Sequence, residues 1–311
     1  MKRLFCAAAV AVLAFAQGAK AQTNLQVLYD FGGDRMHFTT TVEGFYADPW
    51  GNTFFFIDHD YNTKAQDNHV YAPNGTYWEI ARCLNFWKDS PLGAFSAQIE
   101  YNGGVYNGYT VNNAYLLGVD YFMHTPDFNN TLNLKALGKL IDYAGALNLN
   151  GEKRKSLIPV QFTAVWGMRD IFGVKGLAFS GFADFWFENH TVYRTFNSPE
   201  EEQAWHQKIE QEREDMFRQL EEKMQGGQGK DQNYEEWEKE MQKMEEKLEK
   251  KTRMVKDSEI VFISEPQLWY NVGQHFGVPN LNVGGEVELS YDFGNTMGFR
   301  ARPCLGLKWI F

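Results

Sequence analysis

The last thirteen residues, Phe299-Arg300-Ala301-Arg302-Pro303-Cys304-Leu305-Gly306-Leu307-Lys308-Trp309-Ile310-Phe311, set the reading of the whole chain. Leu305, Leu307, Trp309 and Phe311 fall on one face, while Arg300, Arg302, Cys304 and Lys308 fall on the other. A period of two is the signature of a β-strand with one apolar and one polar side. The segment before it repeats the rule. Leu281, Val283, Val287, Leu289, Tyr291 and Phe293 alternate with Asn282, Glu286, Glu288, Ser290 and Asp292. Further upstream, Leu25, Val27, Tyr29 and Phe31 share a face, as do Phe95, Ala97, Ile99 and Tyr101.

Turn signals separate these runs. Asp48-Pro49-Trp50-Gly51, Asp89-Ser90-Pro91, Thr125-Pro126-Asp127, Arg169 to Gly176 and Gly277-Val278-Pro279-Asn280 sit at every second junction. Longer polar stretches, such as Lys64–Gly75 and Asn148–Ser156, occupy other junctions. Short turns at one end and long loops at the other describe an all-β transmembrane barrel, here of about twelve antiparallel strands. The terminal Phe311 resembles the C-terminal signal by which outer-membrane barrels are recognised for insertion. Outer-membrane lipid and the barrel assembly machinery, acting through Phe311, are therefore expected partners.

Composition agrees. Aromatic residues reach 16 % of 311, with 25 Phe and 15 Tyr, too rich for a disordered chain. No run of 18 apolar residues offers a membrane-spanning helix. The net charge of −10 argues against a nucleic-acid polymer as partner. Residues 1–21 read as a secretory signal peptide: Lys2 and Arg3, then the apolar run Leu4 to Ala16, then Ala19-Lys20-Ala21 as a small-x-small cleavage site. Cleavage near Ala21 leaves a barrel over 22–311 and locates it in the cell outer membrane. Cys83 and Cys304 remain, and export permits their pairing without requiring it.

Residues 199–257 stand apart: 30 of these 59 residues are charged. Ser198-Pro199-Glu200-Glu201 supplies a helix start, Gly226-Gly227-Gln228-Gly229 a break, and Asn233 with Glu236 a second start. Tyr234, Trp237, Met241, Met244 and Leu248 follow 3-4-3-4 spacing, with Val255 in phase, and Trp205, Ile209, Met216, Leu220 and Met224 form a looser stripe. The expectation is a charged, coiled-coil-like helical hairpin inserted in an extracellular loop, presenting residues 199–257 to a protein partner.

In such a barrel the polar face looks into the lumen. Counting outward positions from Phe311 turns Arg300, Arg302, Cys304 and Lys308 inward beside Glu286, Glu288 and Asp292. By the same parity Asp30, Glu43, Asp58, Glu79, Glu100, Asp120, Lys135, Lys139, Asp184, Glu265 and Gln267 are candidate pore-lining residues. Phe54, Phe56, Trp186 and Trp269 are candidate lumen aromatics, with Phe45 and Phe122, faces on which a sugar or base could stack. A narrow barrel packed with the same side chains satisfies the pattern equally well. Arg82 breaks it, falling with Trp78, Ile80, Leu84 and Phe86, as a bulge or a headgroup-level position would allow.

The C-terminal third, from Ser264-Glu265-Pro266-Gln267-Leu268-Trp269-Tyr270-Asn271 through Gly284-Gly285-Glu286-Val287-Glu288-Leu289-Ser290 to Gly306-Leu307-Lys308-Trp309-Ile310-Phe311, resembles the Tsx-like nucleoside-specific channels, in particular an uncharacterised branch of them. The resemblance implies a monomeric twelve-strand barrel with a narrow pore for nucleosides or similar small polar solutes. It assigns no contact residue, and the helical hairpin departs from the pattern. No GxSxG, Walker, GxGxxG or HExxH motif occurs. Asp58-His59-Asp60 puts only two of its side chains on one face, a poor metal set. The expectation is a passive channel without catalysis, metal or cofactor. The alternatives are a closed structural barrel presenting its hairpin to a partner and, less favoured, an outer-membrane lipid hydrolase.

Overall fold

The computed structural model describes residues 20–33, 35–62, 72–106, 109–143, 145–154, 158–196, 198–225 and 233–311. Most of the signal segment and the hairpin tip lie outside the described residues. Twelve antiparallel strands close on themselves. They are β1 (Lys20–Asp30), β2 (Phe38–Asp48), β3 (Gly51–Tyr61), β4 (Pro73–Leu84), β5 (Phe95–Tyr106), β6 (Tyr109–His124), β7 (Asn130–Asp142), β8 (Val160–Arg169), β9 (Leu177–Tyr193), β10 (Val255–Ser264, resuming as Gln267–Tyr270), β11 (Leu281–Tyr291) and β12 (Phe299–Ile310). Each pairs with its sequence neighbours, and β1 pairs with β12 through the register Asn24↔Ile310 to Asp30↔Cys304. No edge is left unpaired, which is the condition for β-structure to cross a bilayer.

Strand β10 is one strand with an interruption. Ser264 faces Ala183 and Gln267 faces Ser180, so the register carries through Glu265-Pro266 unchanged. Pro266 has no N–H to give to the ladder. Opposite the break, Gly181 adopts φ +152, and a Cβ there would lie 2.4 Å from the Glu265 carbonyl oxygen. The two irregular positions accommodate each other.

The faces are those read from parity. In β12 the even residues Arg302, Cys304 and Lys308 are buried, whereas Leu305 and Leu307 are 62 % and 52 % exposed. The same alternation exposes Leu117 and Ile99 while burying Leu116 and Gln98. A continuous band of exposed aliphatic side chains on a closed barrel is a surface suited to lipid. Arg82 is outward without any bulge. It sits at the turn end of β4, paired with Asp48 at 2.8 Å and with Thr53 at 3.1 Å.

Departures from the sequence reading are local. Strand β4 begins at Pro73, inside the expected loop 64–75. β5 and β6 are separated by only residues 107–108 on the end that otherwise carries the long loops. The helical hairpin is present as α1 (Pro199–Gln225) and α2 (Asn233–Thr252), with Ser198 Oγ capping the Glu201 N–H at 3.2 Å. β10 starts at Val255, so the end of the expected 199–257 insertion is wall, and Val255 belongs to the sheet instead of the helical seam. Leu220 and Met244 are the buried residues where the helices meet, and Lys251 of α2 reaches Glu212 of α1. The Lys251 ammonium holds the Glu212 carboxyl below its usual range. The side chains of Met224, Tyr234 and Trp237 lie outside the described residues. The hairpin base is tied to the wall: Arg194 N–H donates to the Met254 carbonyl at 2.8 Å, and the Arg194 guanidinium lies over Trp205, 4.9 Å from its ring.

Small residues shape the interior near the turn end. Gly284 faces Trp269 on β10 and Gly306 on β12, and Gly306 faces Leu28 on β1. A Cβ on Gly284 would meet the Trp269 ring at 2.9 Å. Leu28, Trp269 and Cys304 pack together over the room that these glycines leave. Gly284→Val should therefore push the indole out and cost about 1–3 kcal/mol of overpacking. Urea unfolding of the barrel in lipid vesicles, followed by tryptophan emission, reads that loss; an unchanged midpoint would refute the packing account.

Candidate functional site

The barrel interior holds two groups of charged side chains. The first belongs to β1, β2, β3, β10, β11 and β12. Cross-strand pairing sets Glu288 opposite Arg302 and Glu286 opposite Cys304. The Arg302 guanidinium donates to Glu288 at 2.5 Å, and Ser290 Oγ donates to the same carboxylate at 2.8 Å. Glu286 accepts from the Gln267 amide at 2.8 Å. Lys308 places its ammonium 4.1 Å from the centre of the Trp269 ring and 3.4 Å from the Gln267 carbonyl. Across the interior, Asn24 donates to Glu43 at 2.9 Å and Thr41 donates to Asp58 at 2.5 Å. Glu265, on the broken stretch of β10, lies within the electrostatic reach of Glu286, Glu288 and Asp58.

The second group belongs to β4 through β9. Tyr77 and Asn102 donate to Glu79 at 2.6 and 3.2 Å, and Gln98 donates to Glu100 at 2.7 Å. Asn133 donates to both oxygens of Asp120, at 3.0 and 2.8 Å. Lys139 donates to Gln161 at 2.9 Å and stands 3.7 Å above the Trp186 ring, an ammonium–π contact. Asp184 keeps one buried oxygen without a hydrogen-bond partner. Phe54 and Phe56, with centroids 6.1 Å apart, lie on the β3 wall, and Phe56 reaches Tyr77 of the second group at 5.8 Å.

The interior is not uniformly polar. Ala114, Leu116, Leu137, Ile141 and Tyr143 form a buried apolar cluster. Trp186, Val261 and Ile263 form another, with Phe182 and Phe293 against it. Such clusters narrow the barrel and raise the local strength of the charges left facing water.

These contacts divide the parity candidates they involve into two neighbourhoods, one around Glu286 and Glu288 and one around Glu79 and Asp120. Arg300 is the exception in its partners. Instead of joining the acidic row, it donates to the Thr195 carbonyl at 2.8 Å and hydroxyl at 2.9 Å, bracing the approach to the hairpin. Residues from connections were missed, because a period-two argument does not extend into loops. Arg35 pairs with Asp30 at 3.2 Å and with Glu288 at 2.5 Å. Arg154, almost fully buried, pairs with Asp257 at 2.7 Å and pins the β7–β8 connection to β10. Asp292, already on the inward face by parity, accepts from Ser258, Lys256 and the Gly298 N–H, each at 2.6 Å, partners that parity does not give.

Ser258, His190 and Asp292 are neighbours, but not as a nucleophile relay. The His190 ring contacts the Asp292 backbone carbonyl, and Ser258 donates its hydroxyl hydrogen bond to the Asp292 carboxylate, so the imidazole does not address the hydroxyl. Cys83 and Cys304 are both buried free thiols. Among the described residues, no cluster of His, Cys, Asp and Glu has the form of a metal site.

The sequence matches the family described as "Domain of unknown function (DUF5020)" over residues 21–223 and 234–311. The match is interrupted at the hairpin tip, so most of α1 and α2 belong to the matched pattern. No curated protein matches. Among solved structures, OccAB2 of Acinetobacter baumannii aligns at 9 % identity over 93 % of this chain and 59 % of its own, with a TM-score of 0.34. The chain spans just over half the length of that protein and of OccAB3. OpdK of Pseudomonas aeruginosa, solved with vanillate, aligns at 8 % identity over 96 % of this chain and 99 % of its own, with a TM-score of 0.32. OprD of Pseudomonas aeruginosa aligns at 9 % identity over 96 % of both chains, with a TM-score of 0.31. The architecture rests on the chain's own closed strand pairing.

Glu288 has two cations, and Arg302 is the one supplied by the wall. Arg302→Met leaves the buried carboxylate half-compensated and should destabilise the barrel by about 3 kcal/mol, the scale of a broken buried pair. Chemical denaturation in lipid vesicles measures it. Loss of less than about 0.5 kcal/mol, the surface-pair scale, would mean that the pair is screened by lumen water.

Proposed function

The chain belongs to the DUF5020 family, and we propose that it is a passive channel of the cell outer membrane for nucleosides or similarly small polar solutes. One observation carries this reading: a closed ring of strands whose outside is apolar and whose inside is lined by hydrogen-bonded charges and aromatic rings. That is the division of surfaces a conduit through lipid requires. The nucleoside class comes from the Tsx-like resemblance; Phe54 and Phe56 on the β3 wall, only half-buried, are the ring faces on which a base would stack. Glu43, Asp58, Glu79, Glu100, Asp120, Asp184, Glu265, Gln267, Glu286, Glu288, Arg302 and Lys308 would line the path, with Arg300 at the hairpin-bearing rim. Phe311 would serve assembly into the membrane.

Selectivity would follow from charge and ring faces, with no chemical step. Acidic side chains outnumber basic ones on the inner wall, so cations should pass in preference to anions. Removing two positive charges with Arg300→Gln and Arg302→Gln together should shift the zero-current potential further toward the cation value. Planar-bilayer recording of the purified protein in a salt gradient measures this. Nucleosides added at millimolar concentration should reduce the current. A conducting barrel whose current ignores nucleosides would keep the channel and remove the solute class.

A second reading has its own observation. The two apolar clusters occupy lumen volume, and α1 and α2 project a charged surface from strands β9 and β10. A closed barrel that presents a hairpin to a protein partner fits those features. Replacing residues 199–252 by a short Gly/Ser linker should leave the barrel folded under either reading. Under the channel reading the current survives the replacement; under the second it was never there, and a captured partner is lost.

A further inference from the structure

We propose that the groove between α1 and α2 is a docking site for an amphipathic helix of another protein, one that carries Lys or Arg along the edges of its apolar stripe. The proposal rests on the second reading above and names the class of its partner; it does not depend on whether the barrel conducts.

The hairpin is anchored at its base and thin above it. Trp205 packs against Phe196 with ring centroids 5.5 Å apart, beneath the Arg194 guanidinium. Beyond that base, Leu220 and Met244 are the hairpin side chains below a tenth exposed among the described residues. Two helices with so little buried between them lack the further layer that normally covers an apolar stripe. An open groove of about 820 Å³ runs along one side of the pair, with Phe217 of α1 and Met244 and Leu248 of α2 as its apolar lining. Phe217 is 39 % exposed there.

Charge decides what fits. The arginines of this groove are already paired along their own helix, Arg213 with Glu210 and Arg218 with Asp215. Glu214, Glu221 and Glu245 line the same groove and have no hydrogen-bond or ion-pair partner among the described residues. Glu214, Phe217 and Glu221 follow 3-4 spacing, so the exposed ring has a free carboxylate one turn to either side. The other side of the helix pair differs: its groove is about 180 Å³ and bears Lys243 and Lys247. An apolar lining flanked by free carboxylates therefore occurs on one side. A third helix would complete the layer there, its flanking cations meeting the three carboxylates as e and g charges meet across a coiled-coil seam. A second copy of this chain is a poorer occupant. Residues 199–257 carry 18 acidic and 12 basic side chains, and two-fold pairing of this groove would set Glu against Glu.

The probe is a labelled synthetic helix of about three heptads, with Leu at a and d and Lys at e and g; a second peptide carries Glu in place of each Lys. Fluorescence anisotropy follows both against the full chain in non-ionic detergent. The variant with residues 199–252 replaced by a linker, measured in parallel, gives what the peptide gains from detergent and barrel. The Lys peptide should bind the full chain at least about tenfold more tightly than the Glu peptide does, and more tightly than it binds the linker variant. Salt at about 0.5 M should weaken it about tenfold. Combining Glu214→Gln, Glu221→Gln and Glu245→Gln should remove most of that salt dependence. Phe217→Glu separates docking from diffuse attraction, because it adds negative charge: docking requires binding weaker by about tenfold, whereas diffuse attraction requires equal or tighter binding. Phe217→Ser is the second variant if the first loses helix by circular dichroism. Binding that is equal for both peptides, equal on the linker variant or undiminished in the Phe217 variants overturns the proposal. Self-association of the full chain that disappears with the hairpin overturns it too, since a second copy then covers the groove. Preference for the Glu peptide overturns the basic partner and keeps the partner-presenting reading. Binding of neither peptide overturns the proposal as well, and that reading falls with it only if removing the hairpin loses no captured partner.

Discussion

Closure of the ring is the constraint on which everything else depends. The seven residue pairs between β1 and β12 give the first and last strands the backbone partners that every other strand obtains from its sequence neighbours. In hydrocarbon an unpaired peptide group costs several kcal/mol, so a sheet of this composition has no stable open form there. Closure also creates an inside. With one face of each strand given to lipid, as the proposed location requires, the charged residues of this acidic chain would be left to face each other or the loops. The ion pairs, amide bridges and ammonium–ring contacts of the interior follow from that enclosure.

The strands were legible because the pattern has a period of two and one face is fixed. Phe311 anchored the parity of β12, and adjacent strands then inherited their faces through register. Arg82 shows the limit of the argument from the other side: a charged residue on the outer face needed no bulge, because it lies where the wall ends and Asp48 is in reach. Arg300 had the right face and a different partner, since partner choice depends on how far a loop folds back. Arg35 and Arg154 were illegible for a related reason. Their roles depend on turns such as that at Gly32, whose geometry is set by contacts far apart in sequence.

The hairpin divides in the same way. Its helices could be read from caps and a break, because helix ends are local events. Its lower boundary could not, because charge density persists through Lys256 and Asp257 into β10, where those residues serve the wall by meeting Asp292 and Arg154. Composition marks where solvent begins; it does not mark where a strand does.

Cys83 and Cys304 lend the fold one further property. They are interior residues of β4 and β12, and each is reduced and enclosed. In the outer-membrane location proposed above, these thiols would meet oxidants from the moment they emerged. If the ring closes first, both sulfurs are shielded and stay apart. If oxidation comes first, a bridge between two non-adjacent staves would stop the barrel from forming. The oxidation state of the folded protein would then keep time, telling which of two competing processes finished sooner in each molecule.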